Sequence, residues 1–436
     1  MALMNRPPLS AGEQESGVLA TEGAEHAAAP GERLEAALRE HRAGRVAEAE
    51  RTYRELLAEH PDDANAAHFL GMLRFQAGAI EEGCALVCRS VEADPGNPHA
   101  WNNLGNMYVQ MKRDEKAEEA YVRATSLDVR LAAAWYNLAR IYSRDNKMES
   151  ALLCLRNVTR IVSGFADALQ TLAHVYYRLG RPDDARAVYQ QWTEELPDDP
   201  TPRHMLAATS GRGVPDRADD RYIVKTFDDF ADTFDQQLAG LGYSAPQLVA
   251  ASLIQHPLYL TGRAAVLDAG CGTGWCGPLL RSTAGRLVGV DLSTGMLAQA
   301  RERSVYDELH EAELTAFMVS RPRAFDIIVS ADVLCYFGRL EQAVRAAHDA
   351  LRADGLLCFS VEVLAGEAAA GECFRLGGHG RYSHARPYLE QVMCEAGFGP
   401  PSLDVVVLRQ ELGAPVQGYL VAGRRAVRRG RMRRAR

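Results

Sequence analysis

In the first half of the chain, apolar positions recur in two interleaved series with a period of 34 residues. Leu70, Leu104, Leu138 and Leu172 are each followed by a small residue, Gly71, Gly105, Ala139 and Ala173. A second small series, Ala49, Gly83, Ala117, Ala151 and Ala185, is followed four residues on by Tyr53, Val87, Tyr121, Leu155 and Tyr189. A spacing of four keeps each pair on one helical face, and the period is that of a helix-turn-helix unit. Small residues let the two helices of a unit approach. Pro61, Pro95 and Pro197 fall at unit ends, where a missing amide hydrogen is harmless, and Trp101 and Trp135 hold equivalent positions. The pattern predicts about five helix pairs over residues 30–199, stacked into an all-α solenoid with a continuous core.

The period then breaks. Residues 200–221 carry Pro200, Pro202, Gly211, Gly213 and Pro215 without an apolar stripe, and read as a linker. Phe227, Phe230 and Phe234 lie at i, i+3, i+7 and predict one helix with an aromatic face, either packed in the core or laid over a ligand. Beyond them come short apolar runs typical of strands. These are Ala264-Ala265-Val266-Leu267-Asp268, Arg286-Leu287-Val288-Gly289-Val290, Phe325-Asp326-Ile327-Ile328-Val329-Ser330 and Gly355-Leu356-Leu357-Cys358-Phe359-Ser360-Val361-Glu362. Residues 403–408 and 416–421 read as a closing antiparallel pair. The fold class expected is α + α/β, the all-α array preceding a Rossmann-like domain with a seven-stranded mixed sheet over residues 222–423.

Candidate chemistry sits where the first strand ends. Gly270-Cys271-Gly272-Thr273-Gly274 follows Asp268 directly, so strand, glycine turn and helix succeed one another as in nucleotide-type sites. The order G-x-G-x-G, with Trp275 next, departs from the G-x-G-x-x-G of dinucleotide enzymes, and no phosphate-binding lysine follows. Asp291 ends the second strand about 20 residues beyond the glycines, where a carboxylate can accept from both ribose hydroxyls. Leu292 and Met296 can sandwich an adenine ring, Glu313 with Leu314 can meet its amino group, and the fourth strand delivers Asp332 to the same edge.

Two resemblances follow from these residues. The 34-residue series is similar to the tetratricopeptide repeat family, which implies a concave groove for an extended protein or peptide partner, lined here by Asn102, Asn103, Asn106, Tyr136, Asn137 and Arg140. The stretches 266–274, 290–297, 325–336 and 351–362 resemble the class I methyltransferases. More narrowly, Phe234-Asp235 with Leu241-Gly242-Tyr243, Phe359-Ser360-Val361-Glu362 and Gly380-Arg381-Tyr382-Ser383-His384 are similar to methyltransferases that bear tetratricopeptide repeats. The resemblance implies S-adenosyl-L-methionine as cofactor, with Asp268 and Gly270 at its methionine end, Asp291 at the ribose and Glu313 at the adenine. Cys271, Gly272, Gly274, Leu292, Met296, Leu314 and Asp332 complete the expected cofactor-binding set. The family usually has Asp where Glu313 stands.

Methyl transfer needs a positioned nucleophile and, for a hydroxyl or protonated amine, a base. Residues 375–387 gather His379, Arg381, Tyr382, His384 and Arg386 where this fold builds its acceptor pocket. In that reading His384 is the base, Tyr382 its orienter and Arg381 an anion anchor, with Arg381 and Arg386 keeping the imidazole neutral. The alternative is that these residues bond within their own loop.

Charge and cysteine usage narrow the class. Nine cysteines at unrelated spacings form no metal-ligand pattern and fit a reduced, cytoplasmic compartment. No apolar run approaches the roughly 20 residues a membrane helix needs. Eight arginines crowd residues 424–436, and without them the net charge of −8 becomes −16. No aromatic residue interleaves with them, so the tail reads as a solvated, disordered end and nucleic acid is not expected as a partner. Residues 1–29 read as disordered too. The function expected is transfer of a methyl group to a small molecule or protein docked through the repeats. The alternative is a cofactor-binding scaffold without turnover.

Overall fold

The computed structural model describes residues 29–426 except 365, 367–370 and 412. Of the two ends read as disordered, residues 1–28 and 427–436 lie outside the described residues. Residues 424 and 425 are ordered: Arg424 closes a strand, and the Arg425 amide donates to the Gly355 carbonyl at 2.8 Å. The described chain packs as two compact units divided between Leu196 and Pro197.

The first unit consists of helix pairs: α1 (Pro30–Arg42) with α2 (Val46–Glu59), α3 (Ala64–Gln76) with α4 (Ile80–Ala93), and α5 (Pro98–Gln110) with α6 (Asp114–Leu127). After them come α7 (Ala132–Arg144) with α8 (Met148–Ile161), and α9 (Ala166–Arg178) with α10 (Pro182–Glu195). The small series does what its spacing predicts. A Cβ on Gly71 would lie 2.6 Å from Val87 Cγ2, and one on Gly105 would meet the Tyr121 ring at 2.4 Å. Asp63 and Asn97 cap α3 and α5 by accepting two backbone amides each. The Trp101 and Trp135 indoles each reach back to a carbonyl, of Pro95 and Val129, at 3.0 Å.

The asparagines expected to face a groove are buried and bonded to one another. Asn137 Nδ2 donates to Oδ1 of Asn102 and of Asn106, both at 3.1 Å, and Tyr121 Oη donates to Asn106 Oδ1 at 2.8 Å. Asn103 Nδ2 lies 3.0 Å from His68 Nε2, and Tyr136 is buried as well. These amides hold successive units together.

The second unit begins with α11 (Pro200–Ser210), in the stretch read as a linker. That reading is corrected. Asp199 caps α11 as Asn97 caps α5, and Arg203, three periods after Trp101, reaches the Pro197 carbonyl at 2.8 Å. His204 stacks on Tyr222 at 4.2 Å and binds the Gly380 carbonyl at 2.8 Å through Nε2. Gly338 and Arg339 both donate to the Asp216 carbonyl at 2.8 Å. The prolines and glycines that suggested a linker shape a strap across this unit.

The next helices are α12 (Asp220–Asp228), α13 (Phe234–Ala239) and α14 (Ala245–Ser252). The sheet is then built from β1 (Ala264–Ala269), β2 (Ala284–Asp291), β3 (Glu308–Glu311), β4 (Phe325–Ser330) and β5 (Leu351–Val363). Between them lie α15 (Gly277–Leu280), α16 (Thr294–Glu302), α17 (Leu314–Val319) and α18 (Glu341–Ala350). The chain ends with β6 (Phe374–Leu376), β7 (Tyr382–His384), α19 (Arg386–Ala396), β8 (Ser402–Glu411) and β9 (Ala414–Arg424).

Strands run β3-β2-β1-β4-β5 in parallel, and β9 then β8 add antiparallel beyond β5. Both faces are covered, which is why the strands read as unbroken apolar runs. Val266, Ile327 and Cys358 meet Val249 and Leu280, while Leu267, Ile328 and Phe359 meet Phe317, Val344 and Val392. Two strands were not foreseen, so the described sheet has nine rather than seven. β5 outruns β4, whose last partner is Phe359, and β7 takes the vacated edge at Glu362 and Val363. This addition sets β7 at the carboxyl end of the parallel strands.

Candidate functional site

The glycine turn is tied to β2 by backbone bonds. Gly270 and Cys271 amides both donate to the Val290 carbonyl, at 2.8 and 3.0 Å, and the Gly272 amide donates to Asp291 Oδ2 at 2.8 Å. Gly270, Gly272 and Gly274 all have positive φ, which side chains resist. They differ in surroundings. A Cβ on Gly270 would meet Val333 Cγ2 at 2.4 Å, whereas none of the atoms around Gly272 lies within 4 Å of such a position. The turn is closed against Val333, in the segment after β4, and open at Gly272.

Asp268 and Asp291 flank this opening. Asp268 is buried; Oδ2 accepts from Tyr306 Oη at 2.6 Å, while Oδ1 has no partner among the described residues. Burial raises its carboxyl to about 7, against the opposing bond from Tyr306. Asp291 is also raised by burial, though Ser293 and Gly272 amides hold its two oxygens.

The aromatic segment is two short helices rather than one. Phe227 lies in α12 and Phe234 opens α13, their rings 6.0 Å apart, with Phe227 also 5.5 Å from Tyr336. Two carboxylates fasten the segment to the cofactor side. Asp228 Oδ1 accepts from Ser293 Oγ and from the Gly295 amide at 3.1 Å. Asp235 accepts from Thr273 Oγ1 at 2.6 Å, Trp275 Nε1 at 2.7 Å and Arg303.

Other predicted cofactor residues are spread more widely. Glu313 caps α17, its two oxygens accepting from Thr315 and Ala316 amides at 3.0 and 2.8 Å. Leu314 turns into the core with Phe317 and Met318. Met296 is buried and Leu292 half-buried beside the Asp291 carboxylate's backbone partners.

The proposed catalytic trio is placed differently from its sequence reading. His384 has no exposed surface; its Nε2 bonds the Gly338 carbonyl at 3.1 Å and its ring stacks on Tyr388. Burial pulls its pKa down to about 4, so desolvation rather than neighbouring arginines keeps it neutral. Arg386 is occupied with Glu390, and Tyr382 Oη donates to the Pro215 carbonyl at 2.8 Å. Arg381 binds Glu362 at 2.7 Å through Nε and both oxygens of Glu411 at 2.8 Å through Nη2, so two of its three nitrogens are committed to carboxylates of the chain itself. The strand pairing of β7, three residues long and without a legible period, buries alternate residues Tyr382 and His384.

What stands near the carboxyl edge instead is a charge network centred on Arg409, which is 4% exposed. Its guanidinium reaches Asp332 Oδ2 at 2.6 Å, Glu411 Oε1 at 2.7 Å and Glu362 Oε1. Sequence reading missed Arg409 and Glu411. The nearby thiols of Cys271, Cys276 and Cys335 are pushed well above their ordinary value by burial, which leaves them inert.

Residues 267–359 match a family described as a methyltransferase domain, and residues 34–98, 98–128, 132–161 and 166–209 match tetratricopeptide repeat families. The last match carries the repeats into α11. A malonyl-[acyl-carrier protein] O-methyltransferase of Enterobacter lignolyticus is 33% identical over 22% of this chain and 38% of its own. Human methyltransferase-like protein 27 is 33% identical over 30% of this chain and 54% of its own. The chain thus spans about half or less of these relatives. Among solved structures, MamA protein is similar at 21% identity and a TM-score of 0.35, over 38% of this chain and 91% of that one. Among the described residues no helix is long and apolar enough to cross a membrane.

Proposed function

We propose that this chain, whose residues 267–359 match a methyltransferase domain behind tetratricopeptide repeats, is a methyltransferase with S-adenosyl-L-methionine as methyl donor, and that the repeats dock the acceptor or its carrier. The observation that carries the donor assignment is the join of Gly272 to Asp291, beside an open glycine and the partnerless Oδ1 of Asp268. A ligand with a cationic and a diol end fits those acceptor oxygens. Asp268 and the backbone carbonyls of the glycine turn would hold the ammonium of the methionine end; Asp291 would accept from the ribose hydroxyls. Leu292 and Met296 would border the adenine, with Glu313 at its amino group.

When bound, the cofactor supplies a methyl group on a sulfonium, whose leaving thioether is neutral. What remains for the chain is to orient donor and acceptor and to exclude water. The α12–α13 segment, fastened by Asp228 and Asp235, supports the second task. Isothermal titration with S-adenosyl-L-methionine tests the donor assignment, and absence of binding would end it.

The buried state of His384 favours one rival, a cofactor-binding scaffold without turnover. Labelled S-adenosyl-L-methionine incubated with lysate, with and without residues 30–196, separates the readings. Label in an acceptor that depends on the repeats supports the enzyme; binding without any transfer supports the scaffold.

A further inference from the structure

The charges beside the glycine turn do not cancel. Asp332, Glu362 and Glu411 face Arg381 and Arg409, three carboxylates against two guanidinia. His379 Nε2 lies 3.6 Å from Glu362 Oε2, but burial lowers its pKa from the usual value and it does not make up the difference near neutral pH. With all three carboxylates ionised one negative charge is left over, and burial raises the Asp332 carboxyl above its ordinary value against the pull of Arg409 and Arg381.

That excess has a specific place. Asp332 Oδ2 is held by Arg409, whereas Oδ1 is buried and has no hydrogen-bond partner among the described residues. A buried carboxylate oxygen without a donor is costly, so the site is short of one donor. The backbone reinforces the point. Asp332 has φ +59°, a conformation unusual for a side-chain-bearing residue, and its amide is fixed on Ser360 Oγ at 2.8 Å. Its neighbour Val333 is the residue that closes on Gly270. Asp332 therefore stands at the join of the donor side and the charge network.

Resting on the proposed function, we infer that the acceptor taken at this site is an amine, held as its ammonium ion by Asp332 Oδ1. The same oxygen can take the proton that the nitrogen gives up, and Arg409 is a positioning residue that fixes Asp332. Asp332 thus moves from the cofactor set of the sequence reading to the acceptor side. A carboxylate acceptor is disfavoured because the surplus charge repels it and all three nitrogens of Arg409 are already bonded to carboxylates.

The test uses the full chain saturated with S-adenosylhomocysteine, titrated calorimetrically with phenethylamine and with phenylacetate, which share a ring and spacer but differ in charge. Phenethylamine should bind at least about tenfold more tightly, and Asp332→Asn should erase that preference. Affinity for S-adenosylhomocysteine should stay within about twofold in the variant. Equal or tighter binding of phenylacetate, or of neither probe, overturns the inference, and the wild-type comparison holds whatever the variant's stability. So does an Asp332→Asn protein that keeps its preference, or one that loses cofactor affinity, which would give the open oxygen to the cofactor. A wild-type chain that binds no cofactor defeats the proposed function and this inference with it; lost selectivity with intact cofactor binding defeats this inference alone.

Discussion

The Gly272 amide and Asp291 Oδ2 lie 2.8 Å apart, so the glycine turn and the second strand form one binding edge. The other oxygen of Asp291 accepts from the Ser293 amide at 3.0 Å. Two backbone donors thus orient the carboxylate, and each oxygen keeps a lone pair for a ribose hydroxyl. Asp291→Ala should weaken S-adenosyl-L-methionine binding by about 1–3 kcal/mol, measured by calorimetry on folded protein. An unchanged affinity would take Asp291 out of the site.

Fragment boundaries follow from the strap. A fragment beginning at residue 197 keeps the His204 and Tyr222 stack, the Tyr382 bond to Pro215 and both amides on the Asp216 carbonyl. One beginning at 222 loses all of these but the Tyr222 ring itself. The longer fragment, 197–426, should melt cooperatively and bind cofactor, and the shorter should melt at least about 5 °C lower. Equal melting temperatures would return residues 200–221 to the status of a linker.

Asp268 predicts a pH dependence. Below the ordinary carboxylate pKa the folded and unfolded chains both hold its proton. Between that value and about 7 the unfolded chain has released it while the folded chain keeps it, so this group makes stability fall as pH rises through that window. A cationic ligand group beside it needs the ionised form. Affinity for S-adenosyl-L-methionine should therefore rise with pH until about 7 and then level, and Asp268→Asn should bind weakly with a flat profile. A wild-type affinity that ignores pH across this range would contradict the pairing.

Elements with a long period were legible in the sequence, and contacts made by topology were not. The 34-residue series located every helix pair, because each position repeats the same local packing, as Gly71 on Val87 and Gly105 on Tyr121 show. Strands β1, β2, β4 and β5 were legible because both faces are buried. Arg409 was invisible as a site residue because its partners Asp332 and Glu362 stand 77 and 47 residues away, joined only when β8, paired with β9, is carried back along β5. The helix α11 was hidden differently. Its prolines and glycines outweighed a repeat phase that Asp199 and Arg203 still carry.

His384 gives the sharpest contrast between the sequence reading and the structure. Proximity in sequence to two arginines suggested a base kept neutral by charge; the structure keeps it neutral by removing it from water, with Nε2 on the Gly338 carbonyl and the ring against Tyr388. The sign of its contribution to stability follows. Below about 6.5 the unfolded chain takes up a proton on this side chain, while the folded chain stays neutral until about 4. Stability from this residue is complete above that upper value and is lost as pH falls through the interval. His384→Ala should lower stability by about 2–4 kcal/mol, since it opens a cavity between Phe374 and Tyr388 and strands a carbonyl. The acid-side slope of the melting temperature should become shallower in the same variant. Turnover per folded molecule should keep its pH profile, because no proton passes through a ring sealed in the core. An ascending limb present in the wild-type profile and missing from the variant would restore His384 as the base, and would require β7 to open during the reaction cycle.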